Sequence, residues 1–241
     1  MRGLLVAIGF LTRVPVPAKV FDDASGPAHS LAWYPLVGLL IGGVLWGLSW
    51  LLAAAPPVLA AALLLAAWVA LTGALHLDGL ADSADAWVGG LGDRERTLAI
   101  MKDPRCGPMG VVALVLLLLL KFAALASLPP ASGALLLAPM LARASLTAAF
   151  VSTPYVRGGG LGSALTAAPR TACTLGLGFA VVVALAGGWR GVGALAVTAV
   201  MFMLWRQACL RRLGGMTGDT CGALTELVEA AVLVALALHA A

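Results

Sequence analysis

The sequence contains few charged residues, and acidic ones are the scarcest. Only 11% of its 241 residues are charged, and just 11 are Asp or Glu, whereas about a quarter of the residues of a soluble protein are charged. This scarcity excludes an ordinary soluble domain, because too few polar side chains remain to cover its surface. Hydrophobic residues make up 61% of the chain. The composition therefore predicts an integral membrane protein.

Cysteine is also scarce, with four residues that form no C-x-x-C pair. This pattern gives no indication of a zinc site or of a disulfide framework. The cysteines therefore provide no candidate metal centre and no argument for an oxidising compartment.

Long apolar runs are what the sequence does contain. About twenty such residues are needed to cross a hydrocarbon core of about 30 Å. Seven segments qualify, of which 172–187 and 191–206 are short and rich in glycine: 36–55, 58–75, 110–128, 134–151, 172–187, 191–206 and 223–240. They predict an all-α polytopic membrane protein of about seven transmembrane helices, six to eight, that forms a single transmembrane domain over 1–241. Their many small residues also allow close helix packing, either within one chain or in a homo-oligomer.

The basic residues are distributed asymmetrically around these segments. Twelve of the 15 Lys and Arg residues fall in the N-terminal piece and in alternate connections, and Arg190 alone falls in the opposite ones. The positive-inside rule places the N-terminus and these connections in the cytoplasm. The net charge of +4 is therefore explained by orientation in the lipid bilayer, and no nucleic acid partner is expected.

All eleven acids map to the same cytoplasmic side. The opposite connections are short turns without acids. The active site is therefore expected at the cytoplasmic face, mainly in the connection 76–109 and secondarily in 207–229.

The stretch HLDGLADSADAW, residues 76–87, concentrates three of these acids directly after an uncharged run. If span two continues as a helix past His76, an apolar stripe forms from Leu77, Leu80, Ala81, Ala84 and Val88. Asp78, Asp82 and Asp85 then lie at i, i+4 and i+7 on an adjoining stripe. The three carboxylates are expected to project together at the membrane surface.

Like charges at this spacing repel, so a cation or a retained proton must accompany them. Arg or Lys could serve. A hard divalent cation is favoured, because carboxylates without His or Cys ligands suit magnesium, manganese or calcium. His76 is either a hydrogen-bonding neighbour or a general base for an alcohol.

The rest of this face supplies positive charge and further acids. The residues expected to contact phosphate oxygens are Arg13, Arg94, Lys102, Arg105 and Arg157, with Asp103 between two of them. Gly107 and Gly110 are expected to make their loop flexible. Acids for a metal together with bases for anionic oxygens suit phosphoryl transfer.

Charges inside or beside the spans form a second set. Glu226 and Glu229 share a helix face in span seven, where a carboxylate is expensive without a partner. Thr217, Asp219 or Thr220 can cap that helix. Arg143 is expected to reach towards the site or to snorkel to the surface, and Lys121 to make a structural pair.

A divalent cation transporter is the alternative from another functional class. Such a pathway needs polar residues at the midplane and on the far side. The midplane offers only Lys121 and Arg143, so a cytoplasmic-face transferase fits better.

Several motifs resemble those of the cobalamin (5′-phosphate) synthase family, in the same order along the chain. They are TRVPVP, WYPLVGLLIG, HLDGLADSADAW, RERTLAIMKDPRCGPMGVVAL and GGMTGDTCGALTELVE. The resemblance implies a magnesium-dependent, multi-pass enzyme of the cell inner membrane, with Mn²⁺ as a substitute. It further implies that a hydroxyl of α-ribazole, or of its 5′-phosphate, attacks adenosylcobinamide-GDP to give adenosylcobalamin, or its 5′-phosphate, and GMP.

For that reaction, Asp78, Asp82 and Asp85 are expected to hold one or two metal ions and, with His76, to provide the base. Asp103 would complete the metal shell or orient Lys102. Glu226 and Glu229 would bind a second metal or orient the nucleotide base, with Asp219 positioning their helix. The CDP-alcohol phosphotransferases are the alternative enzyme class, but Asp82 stands close to where that class has Arg.

Overall fold

The computed structural model describes residues 2–23, 25–158 and 161–239, which are mostly helical. The described residues form twelve α-helices: α1 Arg2–Leu11, α2 Gly26–Ser30, α3 Tyr34–Leu51, α4 Pro57–Thr72, α5 Leu75–Gly89, α6 Arg94–Ile100, α7 Pro108–Ser127, α8 Ala134–Ser152, α9 Leu161–Leu165, α10 Arg170–Ala186, α11 Gly188–Leu213 and α12 Gly218–Leu238. The all-α class is therefore confirmed.

Five helical segments within the described part are long and apolar enough to cross a membrane. They are the segment Gly26–Leu51, which contains α2 and α3, and the helices α7, α8, α11 and α12. The bent pair of α4 and α5 raises the number to six if the pair forms one span. Each of the seven apolar segments found in the sequence is mostly helical, but α4 has 16 residues and α10 has 17. The structure thus supports a polytopic protein with five or six spans by length and composition.

Helix α11 differs most from its expected bounds. It has 26 residues and continues past the predicted segment 191–206 through Arg211 and Arg212, where a connection was expected. Gly214, in the left-handed conformation at φ +75°, ends it and turns the chain towards α12.

Helix α8 lies at the centre of the bundle and packs against α3, α10, α11 and α12. Most of its residues are buried, as is typical of a helix that is apolar on all sides. Gly38 and Gly42 of α3 lie directly against the α8 backbone at Pro139 and Leu135. Small residues therefore bring these helices close within one chain.

The chain breaks between α4 and α5, where a continuous helix was expected. Gly73 and Ala74 both adopt the left-handed conformation, at φ +65° and +57°, and the two helix axes differ by 90°. The expectation that span two continues past His76 was therefore wrong. The turn redirects α5 so that it packs against α12 and α7 instead of extending α4.

Candidate active site

Helix α5 carries the acidic motif, and its apolar face is buried as the spacing predicts for most positions. Leu77, Leu80 and Ala81 are buried against α7 and α12, whereas Ala84 is half-buried and Val88 is 50% exposed. The stripe therefore anchors only the first half of α5.

The three aspartates of α5 have different surroundings. Asp78 is exposed, and Asp82 and Asp85 are half-buried. Asp78, Asp219 and Asp85 all repel the carboxylate of Asp82, while Arg157 attracts it. Within the described ranges, Asp78 and Asp82 accept no hydrogen bond and form no ion pair. The expected group of neighbouring carboxylates is thus present on α5.

Asp85 binds protein backbone instead. Its two carboxylate oxygens accept hydrogen bonds from the N–H groups of Gly107 and Gly110, at 2.7 and 2.9 Å. A Cβ on either glycine would lie 2.5 Å from this carboxylate, so these glycines permit close approach. Asp85 therefore fixes the start of α7 and the loop before it to α5.

Two further glycines bring α12 against α5. A Cβ on Gly79 would lie 2.7 Å from the carbonyl oxygen of Asp219, and one on Gly222 would lie 3.2 Å from that of His76. A side chain at Gly79 would collide with the α12 backbone and one at Gly222 would be a tight contact, so the two backbones cross closely. Asp219 is thereby placed beside the acidic stretch of α5.

The N-terminus of α12 is well defined. Thr217 is its N-cap and forms a reciprocal capping box with Thr220. Thr217 thus takes the capping role that the sequence left open among three residues. Asp219, in the first turn, instead accepts a hydrogen bond from Arg157 Nη1 at 2.7 Å.

Arg157 reaches Asp219 because its segment is held against the turn before α12. The N–H of Val156 donates to the carbonyl of Met216, and the N–H of Met216 donates to that of Pro154. Burial raises the pKa of the neighbouring Tyr155 hydroxyl above its ordinary value. Tyr155 was missed in the sequence, although it lies two residues before Arg157.

These elements surround a cavity of about 600 Å³. Its polar wall contains both signs of charge and several glycines: His76, Asp78, Gly79, Lys102, Tyr155, Arg157, Gly158, Asp219, Gly218 and Gly222. Its apolar wall consists of Phe10, Tyr34, Leu75, Leu146, Phe150, Leu165 and Cys221, together with Gly162. Of the expected site residues, the cavity brings together His76, Asp78, Lys102, Arg157 and Asp219.

Of the five basic residues predicted to contact phosphate, two line the cavity and three make structural contacts outside it. Arg13 packs against the α4–α5 break and lies 3.4 Å from the Gly73 carbonyl, and Arg94 donates to the carbonyl of Leu213. Arg105 pairs with Asp103 at 2.7 Å, and its hydrogen bonds lower the pKa of that carboxyl to about 2. In this structure Asp103 therefore orients Arg105, not Lys102.

The charges inside the spans form a separate buried network behind the cavity. Lys121 donates to Glu226 at 2.8 Å and to Glu229 at 2.5 Å, and Arg143 pairs with Glu229. All four side chains are at least 94% buried. The network has two positive and two negative groups, which offset one another where water is excluded.

This network changes the interpretation of three predicted substrate contacts. Arg143, Glu226 and Glu229 are paired with one another or with Lys121 and do not line the cavity. The structural pair expected for Lys121 is found. His76 connects the network to the cavity, since its Nδ1 lies 3.5 Å from an Arg143 nitrogen.

A hard divalent cation suits the donors that remain. Asp78 and Asp82 offer partner-free oxygens without competing nitrogen or sulfur ligands, which is the donor chemistry of Mg²⁺. Among the described residues, no group of three or more Asp, Glu, His or Cys side chains could hold an ion by itself. Mg²⁺ commonly binds through one or two carboxylates plus substrate phosphates, so the two residues fit a site completed by substrate.

Comparisons with known proteins give one consistent result. A family model described as cobalamin-5-phosphate synthase matches residues 3–237. Proteins named adenosylcobinamide-GDP ribazoletransferase from Pseudomonas paraeruginosa PA7, Pseudomonas aeruginosa PAO1 and Stutzerimonas stutzeri A1501 are 59%, 58% and 56% identical to the chain. Each alignment covers 99% of this chain and 98–99% of the relative. No solved structure matches.

Proposed function

The chain belongs to the cobalamin-5-phosphate synthase family, and from this membership we propose that it catalyses the reaction for which its relatives are named. Adenosylcobinamide-GDP and α-ribazole, or α-ribazole 5′-phosphate, combine to give adenosylcobalamin, or its 5′-phosphate, and GMP. One observation supports this function above the others. A single cavity combines the partner-free carboxylate of Asp78, a lysine and an arginine with an apolar wall, as a phosphoryl transfer between two amphipathic substrates requires, and Asp82 lies one helical turn further along α5.

The proposed reaction is an in-line displacement at phosphorus. The hydroxyl oxygen of α-ribazole forms a bond to the phosphorus nearer the cobinamide, and the bond from that phosphorus to the bridging oxygen breaks. GMP leaves with the bridging oxygen. One carboxylate, that of Asp78 or of Asp82, receives the single hydroxyl proton, because both have oxygens free of other hydrogen bonds within the described chain.

Mg²⁺, or Mn²⁺ in its place, would be held by Asp78 and Asp82 and would neutralise charge on the diphosphate. Lys102 and Arg157 line the cavity together with Asp78 and would contact phosphate oxygens of the substrate. Asp219 orients Arg157 through their 2.7 Å contact. Asp85 acts as a positioning residue, since it fixes the start of α7 and the loop that follows Lys102.

We place this cavity at the cytoplasmic face of the cell inner membrane. The support is the distribution of the 15 basic residues, of which twelve lie in the N-terminal piece, in alternate connections or in the last two turns of α11. Substrates made in the cytoplasm would then reach the cavity without crossing the bilayer.

Reconstitution in lipid vesicles tests the function. The purified protein with adenosylcobinamide-GDP, α-ribazole and magnesium is expected to release GMP and the cobalamin product in equal amounts, both measured by chromatography. Removal of magnesium by EDTA should stop turnover, and added Mn²⁺ should restore it. A protein that forms no product but allows divalent cations to cross the vesicle membrane would instead support the transporter hypothesis.

A further inference from the structure

The lining of the cavity is rich in aromatic side chains, which belong to its apolar wall except for Tyr155. The sequence contains two tyrosines and six phenylalanines. Both tyrosines, Tyr34 and Tyr155, line this cavity together with Phe10 and Phe150. Half of these eight rings thus surround one space, in a chain with only 6% aromatic residues.

These rings form two stacked pairs from different elements. Phe10 of α1 and Tyr34 of α3 have ring centroids 6.3 Å apart, with an interplanar angle of 20°. Phe150 of α8 and Tyr155 have centroids 5.6 Å apart, with an angle of 26°. Stacking of this kind fixes each ring in place, so the wall is formed before a ligand binds.

Buried aliphatic side chains complete this part of the cavity. Leu146 of α8 is 3% exposed and Leu165 of α9 is 4% exposed. The charged side chains of the same lining include Asp78, Arg157 and Asp219, and Arg157 follows Tyr155 by two residues. The aromatic part therefore suits a flat apolar group that is covalently attached to a polar one.

We propose that this aromatic part of the cavity binds the dimethylbenzimidazole ring of α-ribazole, and the assignment rests on the proposed function. The ring is planar, bicyclic and carries two methyl groups, so it suits stacked aromatic rings and leucines. Its ribose would then extend towards Asp78 and Arg157 in the same cavity. A volume of about 600 Å³ is ordinary for a site that encloses a small ligand.

The other substrate fits this wall less well. The guanine of adenosylcobinamide-GDP has hydrogen-bonding groups along its edge, which lose free energy if they are buried without partners. The corrin ring carries amide side chains around its rim, with the same consequence. The dimethylbenzimidazole has two ring nitrogens, and one of them is bonded to the ribose. Only the other nitrogen can accept a hydrogen bond.

The first test shortens one aromatic side chain. Phe150→Ala is expected to raise the KM for α-ribazole by about tenfold or more, because it removes a buried ring from the wall. The KM for adenosylcobinamide-GDP should not change. Phe150→Leu should lie between wild type and Phe150→Ala. Phe122→Ala, which removes a half-buried ring of α7 outside the cavity, is the matched control and should leave both constants unchanged.

The second test narrows the wall and measures selectivity. The selectivity is the kcat/KM for the unsubstituted benzimidazole riboside divided by the kcat/KM for α-ribazole. Leu146→Phe should raise this ratio by about tenfold, since the larger side chain removes space for the two methyl groups. Leu135→Phe, on the same helix but packed against α3, controls for general overpacking and should leave the ratio unchanged.

The outcomes separate this proposal from the function on which it rests. If the wild type forms no cobalamin, the proposed function is wrong. If the wild type is active but Phe150→Ala raises the KM for adenosylcobinamide-GDP and not that for α-ribazole, the aromatic wall binds the corrinoid substrate and the assignment is overturned. An unchanged selectivity ratio in a folded Leu146→Phe variant would also overturn it.

Discussion

Asp82→Asn is expected to lower kcat/KM for cobalamin formation by about a thousandfold, because the reaction depends on charge stabilisation at the diphosphate. Asn preserves the size of the side chain and removes its charge. Asp82 makes no hydrogen bond or ion pair within the described residues, so the fold should lose little. Turnover in vesicles across a magnesium titration, with thermal unfolding of the same samples, measures both effects.

Matched variants identify the origin of that loss. Asp78→Asn should behave as Asp82→Asn does. Asp93→Asn should be almost fully active, since Asp93 is the N-cap of α6 and Asn caps a helix about as well. Asp85→Asn should lose activity without a changed magnesium requirement, because Asp85 holds backbone N–H groups. Normal turnover of Asp82→Asn at limiting magnesium would contradict the assignment of Asp82 as a metal ligand.

Lys121→Met is expected to destabilise the protein by about 3–5 kcal/mol, the usual cost of breaking a buried ion pair from one side. Without the ammonium group, Glu226 and Glu229 remain buried opposite a single cation, Arg143. The substitution also removes a cation over the Trp68 ring, 4.5 Å from its centroid. Thermal unfolding in a fixed detergent or nanodisc preparation measures the effect.

A second substitution should recover most of this stability. In the double variant Lys121→Met with Glu226→Gln, one cation, Arg143, and one carboxylate, Glu229, remain in the network. These two groups already form an ion pair with each other. Lys19→Met is the control, because Lys19 is exposed and its side chain forms no ion pair among the described residues. A Lys121→Met variant that unfolds at the wild-type temperature would show that the network contributes nothing to stability.

Local periodicity was sufficient to predict the part of the site that lies on α5. Asp78, Asp82 and Asp85 share a helix face because of their spacing alone, and that face is present in the structure. The break before α5 could not be predicted in the same way. Glycine is common in apolar helices, and Ala74, which adopts the left-handed conformation, has no local sequence signal for it.

The pairing of the buried charged residues could not be predicted from local sequence patterns. Lys121 and Glu226 are 105 residues apart, so their contact depends on how α7 and α12 are arranged. An equal number of opposite charges in apolar spans can indicate mutual pairing, but the sequence prediction gave Arg143, Glu226 and Glu229 substrate or metal contacts and expected a structural pair for Lys121 alone. The division of the aspartates has the same origin, since the backbone partners of Asp85 lie 22 and 25 residues further along the chain.

The measurement that tests the account most directly follows each phosphorus atom. Adenosylcobinamide-GDP labelled with ³²P at the phosphorus nearer the cobinamide is incubated with the reconstituted protein, α-ribazole and magnesium. Displacement of GMP by the ribazole hydroxyl predicts that all of the label appears in the cobalamin product and none in GMP. Label recovered in GMP, or a cobalamin product without label, would contradict the proposed reaction.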